Sequence, residues 1–183
     1  MGERRELRLS GTGGQGLILA GIIMADAAIR DGKNSIQSQS YGPEARGGAS
    51  RAEVIIGDGE IDYPRVSKPD VLLIMSQEAG EKFARDLARG GVIIADSTYV
   101  QELPSVDGVI YKLPISRTAR EGAGREMVAN VVALGAVARI TGVVSREALT
   151  EALLSRIPRG TEEMNRKALE LGWRLAEENG ALN

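Results

Sequence analysis

The chain has 183 residues, of which 43% are hydrophobic and 26% charged, and its 25 acidic and 23 basic residues leave a net charge of −2. This size predicts one globular domain, while the near balance of charge and the 3% aromatic content argue against a dedicated nucleic-acid binder. The absence of cysteine and histidine excludes an iron–sulfur cluster held by the chain's own thiolates, the usual zinc sites, and catalysis by a Ser-His-Asp or Cys-His set.

The N-terminal residues 1–8 are charged and contain no apolar signal core. The longest apolar runs in the chain are too short to cross a membrane. Without cysteine no disulfide can form, which agrees with a reducing compartment. We therefore expect a cytoplasmic protein with neither a membrane nor a nucleic acid as its partner.

Short apolar or alternating stretches predict six strands. We place them at residues 6–10, 34–40, 49–56, 71–75, 91–95 and 108–113. The continuous apolar run at residues 71–75 is typical of a central parallel strand. Between the first two strands, residues 14–30 predict a helix that is apolar on most sides, as expected for a helix that covers a sheet. Ser76 is predicted to cap a second helix.

The C-terminal third is predicted to be helical. One helix is expected over residues 126–141, and Ser145 and Thr161 are predicted to cap two more. The last helix presents one apolar face, formed by Met164, Ala168, Leu171 and Leu175. The order of elements predicts a single three-layer α/β/α, Rossmann-like domain over residues 1–183, with a mostly parallel central sheet.

The first motif of interest is GTGGQG at residues 11–16, which follows a predicted strand and opens a predicted helix. Gly11, Gly13 and Gly16 match the G-x-G-x-x-G pattern, and this context suits phosphate binding at a helix N-terminus. The backbone amides of Gly13, Gly14 and Gln15 are candidate donors to an anion. The alternative is that the glycines only permit a tight turn and close helix–sheet packing.

NAD binding is disfavoured by the end of the second predicted strand. A dinucleotide fold needs an acidic residue there to bind the ribose hydroxyl groups. The strand instead ends in the sequence QSQS at residues 37–40, which contains no carboxylate. Gly14 and Gln15 are also not required by the dinucleotide pattern.

The second motif is YGPEARGG at residues 41–48, whose first half is turn-like in composition. Arg46 stands beside Gly47 and Gly48, where a backbone without side chains permits close approach. Arginine suits a bidentate grip on a carboxylate or a phosphate. An internal ion pair between Arg46 and Glu44, or between Arg46 and an aspartate, explains the motif equally well.

With these motifs in order, the chain resembles the gamma subunit (gamma domain) of 2-oxoacid:ferredoxin oxidoreductases. The matching segments are residues 11–16, 40–48, 69–70, 95–97 and 130–136. The glycine turn is weakly specific, whereas the string Tyr-Gly-Pro-Glu-x-Arg-Gly-Gly is much more specific. Within the family the chain looks most like the 2-oxoglutarate type; pyruvate is the substrate of other members.

The resemblance implies a non-catalytic subunit of an enzyme that oxidatively decarboxylates a 2-oxoacid to an acyl-CoA and passes the electrons to ferredoxin. Thiamine diphosphate and iron–sulfur clusters are expected on partner subunits, and no cofactor is expected on this chain alone. Coenzyme A is a candidate contact, and a homodimer is a candidate state of the isolated chain. No catalytic residue and no metal ligand are expected in it.

The expected binding residues come from both motifs and lie at one edge of the sheet, where they contact either the phosphates of coenzyme A or a thiamine-bearing subunit. They are Gly11, Gly13, Gly14, Gln15, Gly16, Tyr41, Glu44, Arg46, Gly47 and Gly48. Two other functions stay open at this point. One is a stand-alone Rossmann-type enzyme that binds NAD(P) or another nucleotide, and the other is a homodimerising scaffold without a ligand.

Overall fold

The structure, a computed structural model, describes residues 3–40 and 48–179. Within these ranges the strands are β1 (Arg4–Thr12), β2 (Asn34–Gln39), β3 (Ala49–Gly57), β4 (Val71–Ile74), β5 (Gly91–Asp96) and β6 (Gly108–Leu113). The α-helices are α1 (Leu17–Arg30), α2 (Gln77–Phe83), α3 (Ile115–Gly122), α4 (Ala129–Thr141), α5 (Arg146–Arg156) and α6 (Glu162–Glu178). Short 3₁₀ turns precede α4 and follow α2, at Glu126–Val128 and Ala84–Asp86. No helix in these two ranges combines the length and apolar character that a membrane span requires.

The strands form one sheet in the order β2-β3-β1-β4-β5-β6. β1, β4, β5 and β6 pair in parallel, whereas β3 runs antiparallel to both of its neighbours, β1 and β2. All strands except β3 therefore share one direction, and the predicted mostly parallel sheet is confirmed.

Strand β1 lies inside the sheet and is longer than the prediction of residues 6–10. It pairs with β3 from Arg4 to Thr12 and with β4 from Leu7 to Ser10. Because partners on both sides satisfy its backbone groups, even its charged first residues stay in the ladder. Leu7 and Leu9 are fully buried on one face, as the alternation predicted.

The two faces of the sheet are covered unequally. Helices α1, α3, α4, α5 and α6 contribute to the larger hydrophobic core, on the face that carries Leu7 and Leu9. The opposite face is covered by α2 and its 3₁₀ turn, through Ala79, Phe83 and Ala84. The three-layer α/β/α arrangement is confirmed, with most of its helices in one layer.

Two of the three predicted helix caps form as expected. The Ser76 hydroxyl accepts a hydrogen bond from the Ala79 amide at 3.2 Å, and that of Ser145 accepts one from the Ala148 amide at 3.1 Å. Thr161 occupies the cap position of α6, but its hydroxyl donates to the Pro158 carbonyl at 2.7 Å and caps no amide. The Thr161 prediction was therefore right in position and wrong in the bond.

A buried arginine occupies the middle of β1, on the face opposite Leu7 and Leu9. Arg8 is 2% exposed, and its guanidinium donates to Glu53 at 2.8 Å and to Asp86 at 2.5 Å. The ring of Phe83 lies 5.3 Å from the guanidinium carbon. Two carboxylates and an aromatic face replace the water that a buried cation loses, so β3 and the end of α2 are tied to β1 by charge.

Helices α4 and α6 approach so closely that glycine is required on both. A Cβ atom at Gly172 would lie 1.9 Å from the Val132 carbonyl oxygen, and one at Gly135 would lie 2.4 Å from the Leu169 carbonyl oxygen. Each clashing oxygen belongs to the backbone of the facing helix, so it cannot move aside as a side chain could. This contact could not be predicted from the sequence, because a glycine inside a helix by itself indicates only a lower helix propensity at that position.

We expect Gly172→Ala to lower the free energy of unfolding by about 3 kcal/mol, because the helices must separate to admit the methyl group. Urea unfolding followed by circular dichroism measures this. The control is Gly59→Ala, since a Cβ there meets nothing within 4 Å. Equal stability of the two variants would show that the α4–α6 crossing is looser than described.

Candidate ligand-binding edge of the sheet

The loops at one edge of the sheet follow the carboxyl ends of the parallel strands. The glycine turn follows β1, Ser76 follows β4, and residues 97–99 follow β5. Thr12 pairs with Ala49, so Gly48 is placed beside the end of β1. In open α/β sheets this edge is where ligands bind.

Within the glycine turn, two residues adopt the left-handed conformation. Gly14 has φ +88° and Gly16 has φ +72°, and Gly16 occupies the N-cap position of α1. The turn therefore takes up the residues before Leu17, and α1 begins three residues later than the predicted start at Gly14. A non-glycine residue would be strained at both positions.

The side chain of Gln15 turns inward and braces the loop. Its amide oxygen accepts a hydrogen bond from the Thr12 amide at 2.7 Å, and its amide nitrogen donates to the Met75 carbonyl at 3.0 Å. Gly11 leaves the space for it, since a Cβ there would lie 2.1 Å from the Gln15 oxygen. Gln15 and Gly11 thus shape the turn from the inside.

Asn130, at the start of α4, holds the other end of the turn. It is 6% exposed, and its side-chain nitrogen donates to the Gly16 carbonyl at 3.1 Å. Its side-chain oxygen accepts from the Val131 amide at 2.9 Å. A Cβ at Gly16 would meet this side chain at 2.5 Å. Sequence reasoning gave Asn130 no role of its own, although an asparagine opening an apolar helix is a signal for a structural hydrogen bond.

The turn leaves its outward donors free. Among the described residues, the amides of Gly13 and Gly14 donate to no protein acceptor, and no side chain caps α1. The first turn of α1 contains no acidic residue, so the positive end of its dipole is not neutralised there. The Gln15 amide, the third expected donor, donates within the turn to the Thr12 carbonyl at 3.4 Å.

Gly13 differs from the other glycines of the motif. A Cβ there would meet nothing within 4 Å, and its φ is not in the left-handed region. The fold itself therefore does not require glycine at this position. An open, side-chain-free amide beside a helix N-terminus is the geometry that a bound anion needs.

The sheet topology also bears on dinucleotide binding. In that fold the ribose-binding carboxylate ends the parallel strand next to the first one. Here the neighbour of β1 on that side is the antiparallel β3, and β2 is displaced to the edge of the sheet. Gln39 ends β2 one strand further away from the glycine turn, so the arrangement does not reproduce a dinucleotide site.

A buried carboxylate near this edge has structural partners. Asp96 is fully buried, and its carboxylate accepts hydrogen bonds from the Thr98 amide at 3.1 Å and the Ser116 amide at 3.2 Å. It therefore fastens the loop after β5 and the start of α3.

Most of the second motif lies outside the described residues, namely Tyr41, Glu44, Arg46 and Gly47. Gly48 is described, and it is half-buried beside β3.

A charged cluster follows β5 at the same edge. The Tyr99 hydroxyl donates to the Glu126 carboxylate, and Arg120 lies 3.1 Å from the other oxygen of Glu126. The hydrogen bond to Glu126, with smaller contributions from desolvation and the charge of Glu126, raises the pKa of the Tyr99 phenol above its usual value. Tyr99 therefore keeps its proton, and its hydrogen bond, at neutral pH.

Comparison with known proteins adds to this geometry. The family model described as pyruvate ferredoxin/flavodoxin oxidoreductase matches residues 6–175. The 2-oxoglutarate synthase subunit KorC of Methanocaldococcus jannaschii is 49% identical over 178 residues, which cover 96% of this chain and 95% of that protein.

Two solved structures share the fold. The gamma subunit of a keto/oxoacid ferredoxin oxidoreductase from Geobacter sulfurreducens PCA is 52% identical with a TM-score of 0.87, and the match covers 95% of this chain and 99% of that one. A 2-oxoglutarate:ferredoxin oxidoreductase from Magnetococcus marinus, with 2-oxoglutarate, coenzyme A and succinyl-CoA bound, has a TM-score of 0.87 at 24% identity. That match covers 99% of this chain and 32% of the other, and at this identity it shows the fold alone.

We expect Asn130→Ala to lower the free energy of unfolding by about 2 kcal/mol, because the buried Val131 amide loses its acceptor and a cavity opens beside Gly16. Asn130→Asp should cost at least as much, since a carboxylate oxygen would face the Gly16 carbonyl. Thermal unfolding measures both. The control is Asn179→Ala, which removes an exposed side-chain bond to the Leu175 carbonyl and should change stability by less than about 0.5 kcal/mol. Matching losses in Asn130→Ala and Asn179→Ala would contradict a bracing role for Asn130.

Proposed function

This chain belongs to the pyruvate ferredoxin/flavodoxin oxidoreductase family, and from that premise we propose that it is the gamma-type subunit of a 2-oxoglutarate:ferredoxin oxidoreductase. The observation that carries the proposal is the 49% identity, over nearly the whole chain, to a 2-oxoglutarate synthase subunit. The complex would convert 2-oxoglutarate to succinyl-CoA and pass the electrons to ferredoxin in the cytoplasm.

The redox chemistry of the complex falls to partner subunits. A chain without cysteine supplies no thiolate for an iron–sulfur cluster, and one without histidine has no imidazole base. The donor set therefore does not fit a cluster, and we place the clusters and thiamine diphosphate on other chains. Thiamine diphosphate would supply the decarboxylation chemistry there.

The part that this chain plays is assigned to the glycine turn, which we propose binds phosphate groups of coenzyme A. The amides of Gly13 and Gly14 and the uncapped N-terminus of α1 are oriented toward the same edge and have no acceptor among the described residues. A phosphate group offers several oxygen acceptors and negative charge, which the positive end of the α1 dipole favours.

The inner residues of the turn have a different role in this proposal. Gln15 and Asn130 hold the loop through Thr12, Met75 and Gly16 and would not touch the ligand. Their bonds keep the outward amides in one geometry before a ligand arrives, which reduces the ordering cost of binding.

The second motif completes the proposed site on sequence grounds. Arg46 would add a charged grip on a phosphate, beside the side-chain-free backbone of Gly47 and Gly48. Gly48 is close enough to the glycine turn for this, because the adjacent Ala49 pairs with Thr12. Tyr41 and Glu44 are proposed to shape the same loop.

The first test is recovery of the affinity-tagged chain from its native cell extract. We expect larger subunits to co-purify, with bound thiamine diphosphate, iron–sulfur absorbance, and reduction of ferredoxin that requires both 2-oxoglutarate and coenzyme A. A complex active with pyruvate alone would correct the substrate, and a chain recovered without partners would contradict the proposed function.

The second test is Gly13→Ala in the assembled complex. Because a methyl group there has open space, stability should not change, while close approach of a phosphate is blocked. We expect the KM for coenzyme A to rise about tenfold, as for loss of about 1.4 kcal/mol of binding, with an unchanged KM for 2-oxoglutarate.

The matched control for this test is Gly59→Ala. Gly59 is equally open and its φ is also outside the left-handed region, but it follows the far end of β3, at the opposite edge of the sheet. If Gly13→Ala and Gly59→Ala give the same KM for coenzyme A, the turn does not bind this substrate.

A further inference from the structure

Two large, partly apolar side chains, Met127 and Tyr99, are exposed in one region at the edge of the sheet that carries the glycine turn. Met127, in the 3₁₀ turn before α4, is 71% exposed, and Tyr99, in the loop after β5, is 42% exposed. The hydrogen bond from Tyr99 to Glu126 brings them together, since Glu126 directly precedes Met127. Clustered exposed apolar groups mark interaction sites, and methionine, tyrosine and arginine are enriched in protein interfaces.

The aromatic side chain in this cluster is held in place before any partner binds. Glu126 accepts from the Tyr99 hydroxyl and pairs with Arg120 at 3.1 Å. An anchor that is already ordered loses less side-chain entropy on association.

The segment that carries Met127 contains more cations than carboxylates. Residues 112–128 include four cations, Lys112, Arg117, Arg120 and Arg125, against the two carboxylates of Glu121 and Glu126, on a chain whose net charge is −2. Local bonds place the Lys112 ammonium and the backbone of Arg117 near the loop that carries Tyr99. The Lys112 ammonium donates to the Gln101 carbonyl at 3.2 Å, and the Arg117 amide donates to the Thr98 hydroxyl at 3.1 Å.

The same surface adjoins the glycine turn. Asn130, three residues after Met127, donates to the Gly16 carbonyl. A partner protein that contacts Met127 would therefore lie beside the amides of Gly13 and Gly14. A cleft between the two chains would enclose a ligand that the turn by itself only contacts from one side.

We infer that the patch formed by Tyr99, Met127 and the surrounding arginines docks this chain onto a carboxylate-bearing surface of a partner subunit. The inference rests on the proposed function, because it takes its partner from the proposed complex. The apolar side chains form the centre of the contact and the cations its rim. The rim charges select the acidic face of the partner and bring the patch to it.

The test compares tagged variants of the full chain, each expressed in the native cell and purified with its partners. Met127→Asp places a carboxylate at the apolar centre against an acidic partner. We expect the amount of partner subunit recovered per tagged chain to fall about tenfold. Arg117→Glu tests the rim, and it should lower recovery by a factor that shrinks in high salt, because salt screens the charge.

The controls carry the same changes elsewhere on the surface. Ile29 is 59% exposed and Tyr63 is 57% exposed, so Ile29→Asp and Tyr63→Asp match Met127→Asp, while the exposed Arg159→Glu matches Arg117→Glu. The controls should retain full recovery of partners. Thermal unfolding of each isolated chain checks that the variants fold.

The outcomes distinguish failure of the docking surface from failure of the proposed function. If the unmodified chain recovers partners and folded Met127→Asp recovers them equally, the docking surface is wrong and the proposed function stands. Equal losses in Ile29→Asp or Tyr63→Asp also overturn it. If Met127→Asp abolishes a homodimer of the isolated chain and leaves partner recovery intact, the patch binds a second copy and the inference fails. If the unmodified chain recovers no partner, the proposed function and the docking surface fail together.

Discussion

The reversal of the backbone between β1 and α1 is the constraint on which the rest of the molecule depends. In four residues the chain must leave the centre of the sheet and begin the helix that covers it. Gly14 and Gly16 supply the left-handed conformations, and Gln15 fills the space that Gly11 leaves open. Asn130 then ties α4 to the same turn. The turn thus joins β1 to two helices, α1 and α4, that pack on the same face of the sheet.

The electrostatic character of this edge follows from the way the turn is held. Side chains make the bonds that join Gln15 to Thr12 and Met75, and within the described ranges the backbone amides of Gly13 and Gly14 donate to no protein acceptor. The uncapped N-terminus of α1 adds a positive potential without any charged residue in its first turn. The proposed anion site therefore needs no net positive charge on the chain, whose net charge is −2.

The strand order of the sheet differs from that of the usual dinucleotide site, although the chain has a glycine-rich turn. The antiparallel β3 separates β1 from β2, so the strand end that would carry a ribose ligand is moved away from the turn. The buried Arg8, paired with Glu53 and Asp86, fastens β3 in that position. A polar network of this kind stabilises one strand order over another, because leaving any of its members unpaired in the interior is costly.

The strands, the large helices and the mostly parallel sheet could be predicted from the sequence, because alternation of apolar residues and a helical period are local properties of the chain. The sequence also excluded an iron–sulfur cluster held by this chain's own thiolates and catalysis by an imidazole, since the chain contains neither cysteine nor histidine.

The role of each residue within the glycine turn, in contrast, followed only from the packed structure. The Gln15 side chain donates a hydrogen bond to the Met75 carbonyl, and Asn130 donates one to Gly16, which is 114 positions away in the chain. Of Gly11, Gly13 and Gly14, only Gly13 has both open space for a Cβ atom and a φ outside the left-handed region. The place of β3 between β2 and β1, the fit of Gly172 against Val132 and the hydrogen bond of Tyr99 to Glu126 were likewise decided by contacts between distant segments. Such contacts depend on how whole elements pack, which no local pattern of residues records.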